Sequence, residues 1–153
     1  MSKTYYQIYI QIVFAVYKRQ NMIHEKHREE IEKYMCGIIK RKNVKPLAIY
    51  CNPDHCHLFV APPPSIKISD LVRDVKNNTS NFINAKNTSR SIFRWQEGYG
   101  AFSYAKSEVE SVYNYVLNQH AHHQKQTFRD EYLEMLTRFE IDYDEKYLFE
   151  WYD

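Results

Sequence analysis

Apolar and polar residues alternate along the first part of the chain. From Tyr6 to Val16 the even positions are all apolar, whereas the odd positions include Gln7 and Gln11. A period of two over this length predicts a β-strand with one fully apolar face. The spacing then becomes helical, which predicts an amphipathic helix over roughly Glu25 to Arg41. The apolar stripe of that helix consists of Ile31, Tyr34, Met35, Ile38 and Ile39.

Two short apolar runs follow, separated by residues that favour a turn. The runs are Leu47 to Cys51 and His55 to Val60, and Asn52-Pro53-Asp54 lies between them, which predicts a β-hairpin. After the break at Pro62-Pro63-Pro64 a second helical stripe begins, with Ser69 as its predicted N-cap. This stripe consists of Leu71, Val72, Val75, Phe82 and Ile83.

The second half of the chain predicts a short aromatic strand and a further helix. The strand is Gly98 to Tyr104. Ser107 and Glu110 form a capping box at the start of a helix that extends from Val109 to Gln124. The apolar stripe of this helix consists of Val109, Val112, Tyr113, Val116 and Leu117.

A last helix begins at Thr127, with Asp130 completing its start signal, and the acidic tail Glu140 to Asp153 has no assigned structure. The order of elements resembles the split βαβ pattern. We therefore predict an α+β, ferredoxin-like fold. In it an antiparallel sheet carries helices on one face, has an extra C-terminal helix, and leaves its other face free. Residues 1–153 are predicted to form a single domain, in which 127–153 is the C-terminal helix and acidic tail.

Composition excludes a low-complexity or disordered chain, because 44% of the 153 residues are hydrophobic and the chain has 14 tyrosines but only 3 glycines.

The net charge of +2 is divided unevenly along the chain. Through Thr127 there are 18 Lys plus Arg against 10 Asp plus Glu, and from Phe128 onward there are 3 against 9. The basic part suits a phosphate backbone, and we expect the acidic tail to keep away from it. A merely solvated tail is the alternative.

Cysteine usage and the N-terminal sequence indicate a cytoplasmic protein. Three cysteines are an odd number without framework spacing, which argues against a disulfide-stapled secreted domain. Gln7 and Gln11 interrupt the N-terminal apolar segment, so we expect neither a signal peptide nor a membrane span.

The run from Asp54 to Leu58 carries the first candidate chemistry. Because side chains alternate on a strand, His55 and His57 point to one face and Cys56 to the opposite, apolar face. Two neutral imidazoles on one face can bind a divalent metal, and two half-exposed histidines beside a turn are the alternative. A structural zinc site that uses Cys51 and Cys56 is disfavoured, because the sequence has no Cys-x-x-Cys pair.

A tyrosine on the helix from position 109 is the second candidate. Tyr115 lies roughly 130° from the centre of the apolar stripe, whereas Tyr113 lies within the stripe and is predicted to be a core residue. Gln119, one turn later, shares the polar face of Tyr115. This placement makes Tyr115 eligible as a nucleophile without selecting it. Three further histidines fit a polar helix end, with metal binding as the alternative, and they are His120, His122 and His123.

Together the two segments resemble the single-tyrosine HUH transposases of the IS200-like type. The His-hydrophobic-His strand motif of that family is matched by His55-Cys56-His57, with Cys56 at a position that is more usually aliphatic. Its Tyr-x-x-Asn-Gln helix motif is matched by residues 115–119. The resemblance covers most of the chain, since it also includes Gln7 to Val16, Ser69 to Val75 and Trp95 to Gly100.

The resemblance implies a DNA transposase that cleaves and rejoins single-stranded DNA near hairpins at element ends, through a 5′-phosphotyrosine. It makes Tyr115 the nucleophile, and His55, His57 and Gln119 the ligands of Mg²⁺ or Mn²⁺. It also implies a homodimer in which Tyr115 of one subunit can serve the histidines of the other, and a cytoplasmic protein that joins the nucleoid when bound to DNA. The basic side chains predicted to contact DNA are Arg73, Lys76, Lys86 and Arg94.

Two other functions are compatible with the same residues. A non-catalytic single-stranded nucleic-acid-binding protein would stack bases on the open sheet face, using Tyr5, Tyr9 and the aromatic residues of Gly98 to Tyr104. A metal-binding regulator would take up metal without binding DNA. A covalent, metal-dependent DNA product distinguishes a transposase from both.

Overall fold

The central strand of the fold forms where the alternation predicts it, although it begins at Ile10 rather than Tyr6. The structure is a computed structural model that describes residues 3–86 and 91–152. Its strands are β1 (Ile10–Ala15), β2 (Lys45–Cys51), β3 (His55–Ala61) and β4 (Gly100–Ser103). Its helices are α1 (Glu25–Arg41), α2 (Ile68–Lys86), α3 (Val109–Leu117), α4 (Gln119–His123) and α5 (Phe128–Arg138).

The four strands form one antiparallel sheet in the order β2-β3-β1-β4. β1 pairs with β3 on one side, where Ala15 lies opposite His55, and with β4 on the other. β2 and β3 form the predicted hairpin, with Cys51 opposite Cys56 next to the turn. This strand order, with α1 and α2 as the two crossovers, is that of the split βαβ pattern and confirms the predicted α+β, ferredoxin-like fold.

One face of the sheet, here called the first face, packs against α1 and α2. The even positions of the first strand point to it, and Ile12 and Phe14 are fully buried there. Met35 and Ile39 of α1 lie in the same core, as does Val75 of α2. The strand alternation and the two helical stripes therefore meet in one hydrophobic cluster, as their spacing predicts.

The opposite face, here called the second face, is also covered by helices. Val13 and Ala15 of β1 pack against α5, and Phe59 of β3 packs against α3. The expectation that helices lie on one face and leave the other free is not met. The reason is visible in β1, whose odd positions are apolar except for Gln11, and Gln11 is buried with hydrogen-bond partners.

The helix that carries Tyr115 differs from the prediction in its length and in its buried side. α3 ends before Asn118 and α4 begins at Gln119, so the predicted continuous helix is wrong. Val112 and Val116 pack on the sheet, but Tyr113 is 42% exposed, so its predicted core role is wrong too. Tyr115 is instead half-buried, because its hydroxyl contacts Glu131 of α5.

Two of the predicted helix starts also differ. Ser69 lies in the first turn of α2 rather than at its cap. The carboxylate of Glu108, rather than that of Glu110, accepts a backbone N–H just before α3. The start of α5 is confirmed, because the backbone N–H of Asp130 donates to Thr127 Oγ1 at 3.1 Å. Across residues 3–86 and 91–152, no helix combines the length and apolarity that a membrane crossing requires.

The acidic tail closes the core beneath α5. Phe149 is buried, and both Phe149 and Trp151 contact the ring of Phe128. Gln96 binds the backbone of Glu150, which lies between these two aromatic residues. Its Oε1 accepts the N–H of Glu150 at 2.7 Å, and its Nε2 donates to the Glu150 carbonyl at 3.0 Å. The tail that the sequence left without structure is thus part of the second-face core.

Gly100 is expected to be the glycine least tolerant of a side chain. A Cβ at this position would lie 2.6 Å from the Tyr132 hydroxyl and 2.8 Å from the Phe102 ring. Gly100→Ala should therefore lower the free energy of unfolding by about 1–3 kcal/mol. Gly37 in α1 is the matched control, since no atom lies within 4 Å of an added Cβ, and Gly37→Ala should raise stability by about 0.5–1 kcal/mol. Urea unfolding measures both. Equal effects of Gly100→Ala and Gly37→Ala on the free energy of unfolding would contradict the close packing of β4 against Tyr132 of α5.

Candidate active site

His55 and His57 lie side by side on the second face, as strand alternation predicts. Both are 0% exposed, so the alternative of two half-exposed histidines is wrong. Their ring centroids are 5.0 Å apart. Cys56 points to the first face and packs there with Cys51 and Met35. Neither of these thiols reaches the histidine face, which removes the basis for the cysteine zinc site.

Each of the two imidazoles has an acceptor on its Nδ1 atom. Asp54 Oδ1 lies 2.7 Å from His55 Nδ1, and Gln11 Oε1 lies 2.6 Å from His57 Nδ1. Gln11 is itself held by Tyr104, because its Nε2 donates to the Tyr104 hydroxyl at 2.8 Å. Carboxylate and carbonyl oxygens only accept, so each Nδ1 carries a proton, and in its neutral form each ring presents the lone pair of its Nε2 to the site.

The structure brings Tyr115 and Gln119 to the same place. The ring centroid of Tyr115 lies 5.9 Å from that of His57, and its hydroxyl donates to the carboxylate of Glu131. Gln119 is fully buried, and its Oε1 accepts a hydrogen bond from Asn52 at 3.2 Å. The four residues that the two sequence motifs select therefore converge, because α3 crosses the second face over β3.

Two further residues belong to this site: Glu131, which the sequence analysis missed, and His123, for which it favoured a helix-end role over metal binding. Glu131, on α5, is 2% exposed, and its Oε1 lies 3.3 Å from His55 Nε2 and 3.2 Å from His57 Nε2. His123 Nε2 lies 3.0 Å from the same oxygen, so the polar-helix-end interpretation is wrong for His123, although it suits the exposed His120. One sequence signal could have found Glu131. It is a carboxylate within the helical stripe of α5 that otherwise consists of Phe128, Tyr132, Met135 and Leu136.

Burial and charge set the protonation of Tyr115 and of its partner Glu131. Burial raises the pKa of the Tyr115 phenol well above its ordinary value, and the negative charge of Glu131 raises it further. Burial alone would raise the pKa of the Glu131 carboxyl, but its interactions with the imidazoles of His57, His123 and His55 outweigh burial and lower it. At rest, the site holds a protonated phenol against an ionised carboxylate.

The chemistry of the donor atoms fits a divalent metal. One atom each from His55, His57, His123 and Glu131 lies within 4.8 Å of all the others. The Nε2–Oε1 separations of 3.0, 3.2 and 3.3 Å match the roughly 3.0–3.4 Å between two ligands that each lie about 2.0–2.1 Å from one ion. The Nδ1 partners of His55 and His57 are the kind that orient metal-binding imidazoles.

A cavity borders Tyr115. It has a volume of about 270 Å³ and lies between α3 and α5. Its lining also includes Gln11, Tyr104 and Glu131, and among the described residues that line it Arg138 is the one Lys or Arg. Tyr115 therefore lies next to open space rather than within a sealed core.

The basic residues predicted to contact DNA lie away from this site. Arg73, Lys76 and Lys86 are on α2, which packs on the first face. Arg73 and Lys86 form ion pairs with carboxylates of their own chain. Lys76 Nζ donates to the carbonyls of Gln96 and Gly98 at 2.9 and 2.7 Å, and burial lowers its pKa to about 8. The guanidinium of Arg94 lies over the Tyr17 ring. Their role in DNA binding stays a prediction.

Comparison with solved structures shows the same fold in two DNA-processing proteins. A candidate transposase from Deinococcus radiodurans R1 is 17% identical and has a TM-score of 0.60, with 78% of this chain and 98% of that chain covered. A REP-associated tyrosine transposase bound to a REP hairpin is 12% identical and also has a TM-score of 0.60, with 80% and 73% covered. A comparison with curated proteins gives no match.

The sequence of the chain also matches a protein family. A family model described as Transposase IS200 like matches residues 4–119, which is most of the 153-residue chain and ends at Gln119. Both sequence motifs lie inside the matched segment, whereas His123 and Glu131 lie beyond it. The chain belongs to the IS200-like transposase family.

Proposed function

We propose that this transposase cleaves single-stranded DNA at insertion-sequence ends with Tyr115 and rejoins it through a 5′-phosphotyrosine intermediate. The observation that carries the proposal is the convergence of Tyr115, Gln119 and the pair His55 and His57. The Tyr115 hydroxyl and the imidazoles of the pair contact the same carboxylate, although they come from α3 and β3. A nucleophile beside a group of metal-binding side chains is the arrangement that phosphodiester cleavage by a phenol requires.

The chemistry follows from the protonation of the site. The phenolic oxygen of Tyr115 attacks phosphorus, and the bond from phosphorus to the 3′ oxygen breaks. The products are a 5′-phosphotyrosine and a 3′ oxygen that takes a proton from water. Because the pKa of the phenol is raised, we expect its proton to move to the Glu131 carboxylate only as the new bond forms. Attack by a 3′ hydroxyl on the phosphotyrosine reverses these changes, so rejoining needs no nucleotide cofactor.

His55, His57 and Gln119 are the proposed holders of Mg²⁺ or Mn²⁺. When bound, such an ion supplies positive charge for the phosphoryl oxygens and the departing 3′ oxygen. The chain itself supplies orientation. Asp54 and Gln11 fix the two imidazole rings from behind, so that the Nε2 atoms face Tyr115 across the site.

The proposed DNA partner is a single strand that carries a hairpin. The family and the fold shared with a tyrosine transposase bound to a REP hairpin support this choice. We also propose a homodimer, and a cytoplasmic location at the nucleoid, from the family resemblance. Within one chain Tyr115 already reaches its own His57, so exchange of tyrosines between subunits is not needed to assemble a site.

Base stacking on an open sheet face, the non-catalytic alternative, has less support. Phe102, the central aromatic residue of β4, is 1% exposed and packs under α5, and Tyr104 is engaged with Gln11. Tyr5 is exposed but lies outside the sheet. With both sheet faces covered, bases would have to stack elsewhere on the surface.

Covalent capture of DNA tests the proposed function. Labelled single-stranded oligonucleotides copied from the DNA that flanks the gene, with their hairpins, are incubated with the protein and Mn²⁺. We expect a protein–DNA product that survives denaturing electrophoresis and is absent when EDTA replaces the metal. The same sequence as a full duplex is the control and should give none. Tight binding with no covalent product under any of these conditions would favour the non-catalytic binder.

A further inference from the structure

Two donor groups enter the site from beyond the segment that the family model matches. Glu131 comes from α5 and His123 from α4, whereas the match ends at Gln119. We propose that Glu131 and His123 are metal ligands in addition to His55, His57 and Gln119, and that the site therefore binds a transition metal ion such as Mn²⁺ or Zn²⁺ in preference to Mg²⁺. This inference rests on the proposed function, since it concerns the same site.

The contacts of Glu131 are the first argument. Three imidazole Nε2 atoms lie 3.0–3.3 Å from its Oε1. The Nδ1 protons of His55 and His57 are donated to Asp54 and Gln11, so in its neutral form each ring turns the lone pair of its Nε2 toward a negatively charged oxygen. Such contacts repel unless a proton or a metal ion lies between the two atoms. A single oxygen cannot accept hydrogen bonds from three imidazolium groups with its two lone pairs, whereas one metal ion satisfies all four groups together.

The burial of Glu131 is the second argument. Its side chain is 2% exposed, and in the part of the chain that the structure describes no Lys or Arg side chain forms an ion pair with it. A buried carboxylate is costly unless a cation or several donors compensate it. The helix that holds it is well anchored, because Phe128 stacks on the His55 ring at a centroid distance of 3.7 Å. α5 therefore fixes Glu131 against the histidines.

The donor set determines which metal is favoured. Imidazole nitrogens suit Mn²⁺, Zn²⁺ and related ions, whereas Mg²⁺ prefers oxygen ligands and retains several waters. Three imidazoles and one carboxylate occupy four coordination positions, which leaves Mg²⁺ fewer positions for the waters it retains. The second oxygen of Glu131 remains engaged with the Tyr115 hydroxyl, so the same carboxylate positions the nucleophile next to the ion.

Metal binding without DNA tests this proposal. Calorimetry measures Mn²⁺, Zn²⁺ and Mg²⁺ binding to the full chain, and Co²⁺ serves as a visible-absorption probe of the ligand set. Glu131→Gln and His123→Ala are each expected to weaken Mn²⁺ binding by about 100-fold, since loss of even an outer-shell partner costs about 10–100-fold, and to change the Co²⁺ spectrum. The wild-type chain should bind Mn²⁺ more tightly than Mg²⁺.

The matched controls are exposed neighbours on the same helices. Asp130→Asn removes one negative charge from α5, and His120→Ala removes one imidazole from α4, and both should bind Mn²⁺ within about twofold of wild type. If Glu131→Gln and His123→Ala both bind like wild type while His57→Ala does not, this proposal fails and the proposed function stands. If His57→Ala also binds Mn²⁺ like wild type, the metal site of the proposed function fails as well. Circular dichroism and a cooperative thermal transition without added metal confirm that each variant is folded.

Discussion

A Tyr115→Phe chain is expected to lose covalent joining to DNA by on the order of 10⁴-fold or more, because the substitution removes the attacking oxygen. The ring itself remains, so its contacts with the rings of His57 and His122 persist. The cost to folding is limited to the lost hydrogen bond to Glu131, which we expect to be about 1.5–3 kcal/mol because the acceptor is charged. Rates of adduct formation with the labelled hairpin oligonucleotide measure the effect.

Tyr113 provides the matched control, since it lies on the same helix and is 42% exposed. Tyr113→Phe should form the adduct within about twofold of the wild-type rate, because Tyr113 is exposed and lines a different cavity, with Leu47 and Leu117. Formation of the covalent adduct by Tyr115→Phe, or loss of the adduct in Tyr113→Phe, would show that the nucleophile is a residue other than Tyr115.

His57→Ala is expected to have the second largest effect, a loss of metal binding and of DNA joining by at least about 100-fold. His57 is fully buried and is one of the two imidazoles of the strand motif. Its removal also leaves the Gln11 oxygen without its partner, at a cost of about 1–3 kcal/mol in stability, so circular dichroism must show that the variant is folded.

His120→Ala is the control for His57→Ala, because His120 is exposed on α4 and lies outside the donor group. It should leave both metal binding and joining unchanged within about twofold. Metal-dependent joining at the normal rate by folded His57→Ala would refute the metal-binding role of the strand motif.

The predictable part of the fold depends on local patterns. The bounds of α1 follow from its apolar stripe, and the hairpin from the turn at Pro53-Asp54 between two apolar runs. The side on which His55 and His57 lie follows from strand alternation alone. These features need no knowledge of other elements, because the period of the side chains is fixed by the backbone.

The rest depends on packing between distant segments. α5 and the tail cover the second face, and only this tertiary contact reveals that Glu131 lies in the site and that Phe128 stacks on His55. A charge count assigned the last 26 residues to an acidic segment that keeps away from phosphate, yet one of those carboxylates, Glu131, contacts Tyr115, the proposed nucleophile. Tyr113 shows the same limit, since a helical wheel cannot tell which flank of a stripe a neighbouring helix will cover.

Mass spectrometry of the covalent product tests the central claim, that Tyr115 becomes attached to DNA, most directly. Trypsin should release the peptide from Ser107 to Lys125, which contains both Tyr113 and Tyr115 separated by Asn114. After nuclease trimming, fragment ions that break on either side of Asn114 locate the added nucleotide. The account predicts a 5′-phosphate-linked nucleotide on Tyr115, whereas a nucleotide on Tyr113 or on any other residue would contradict it.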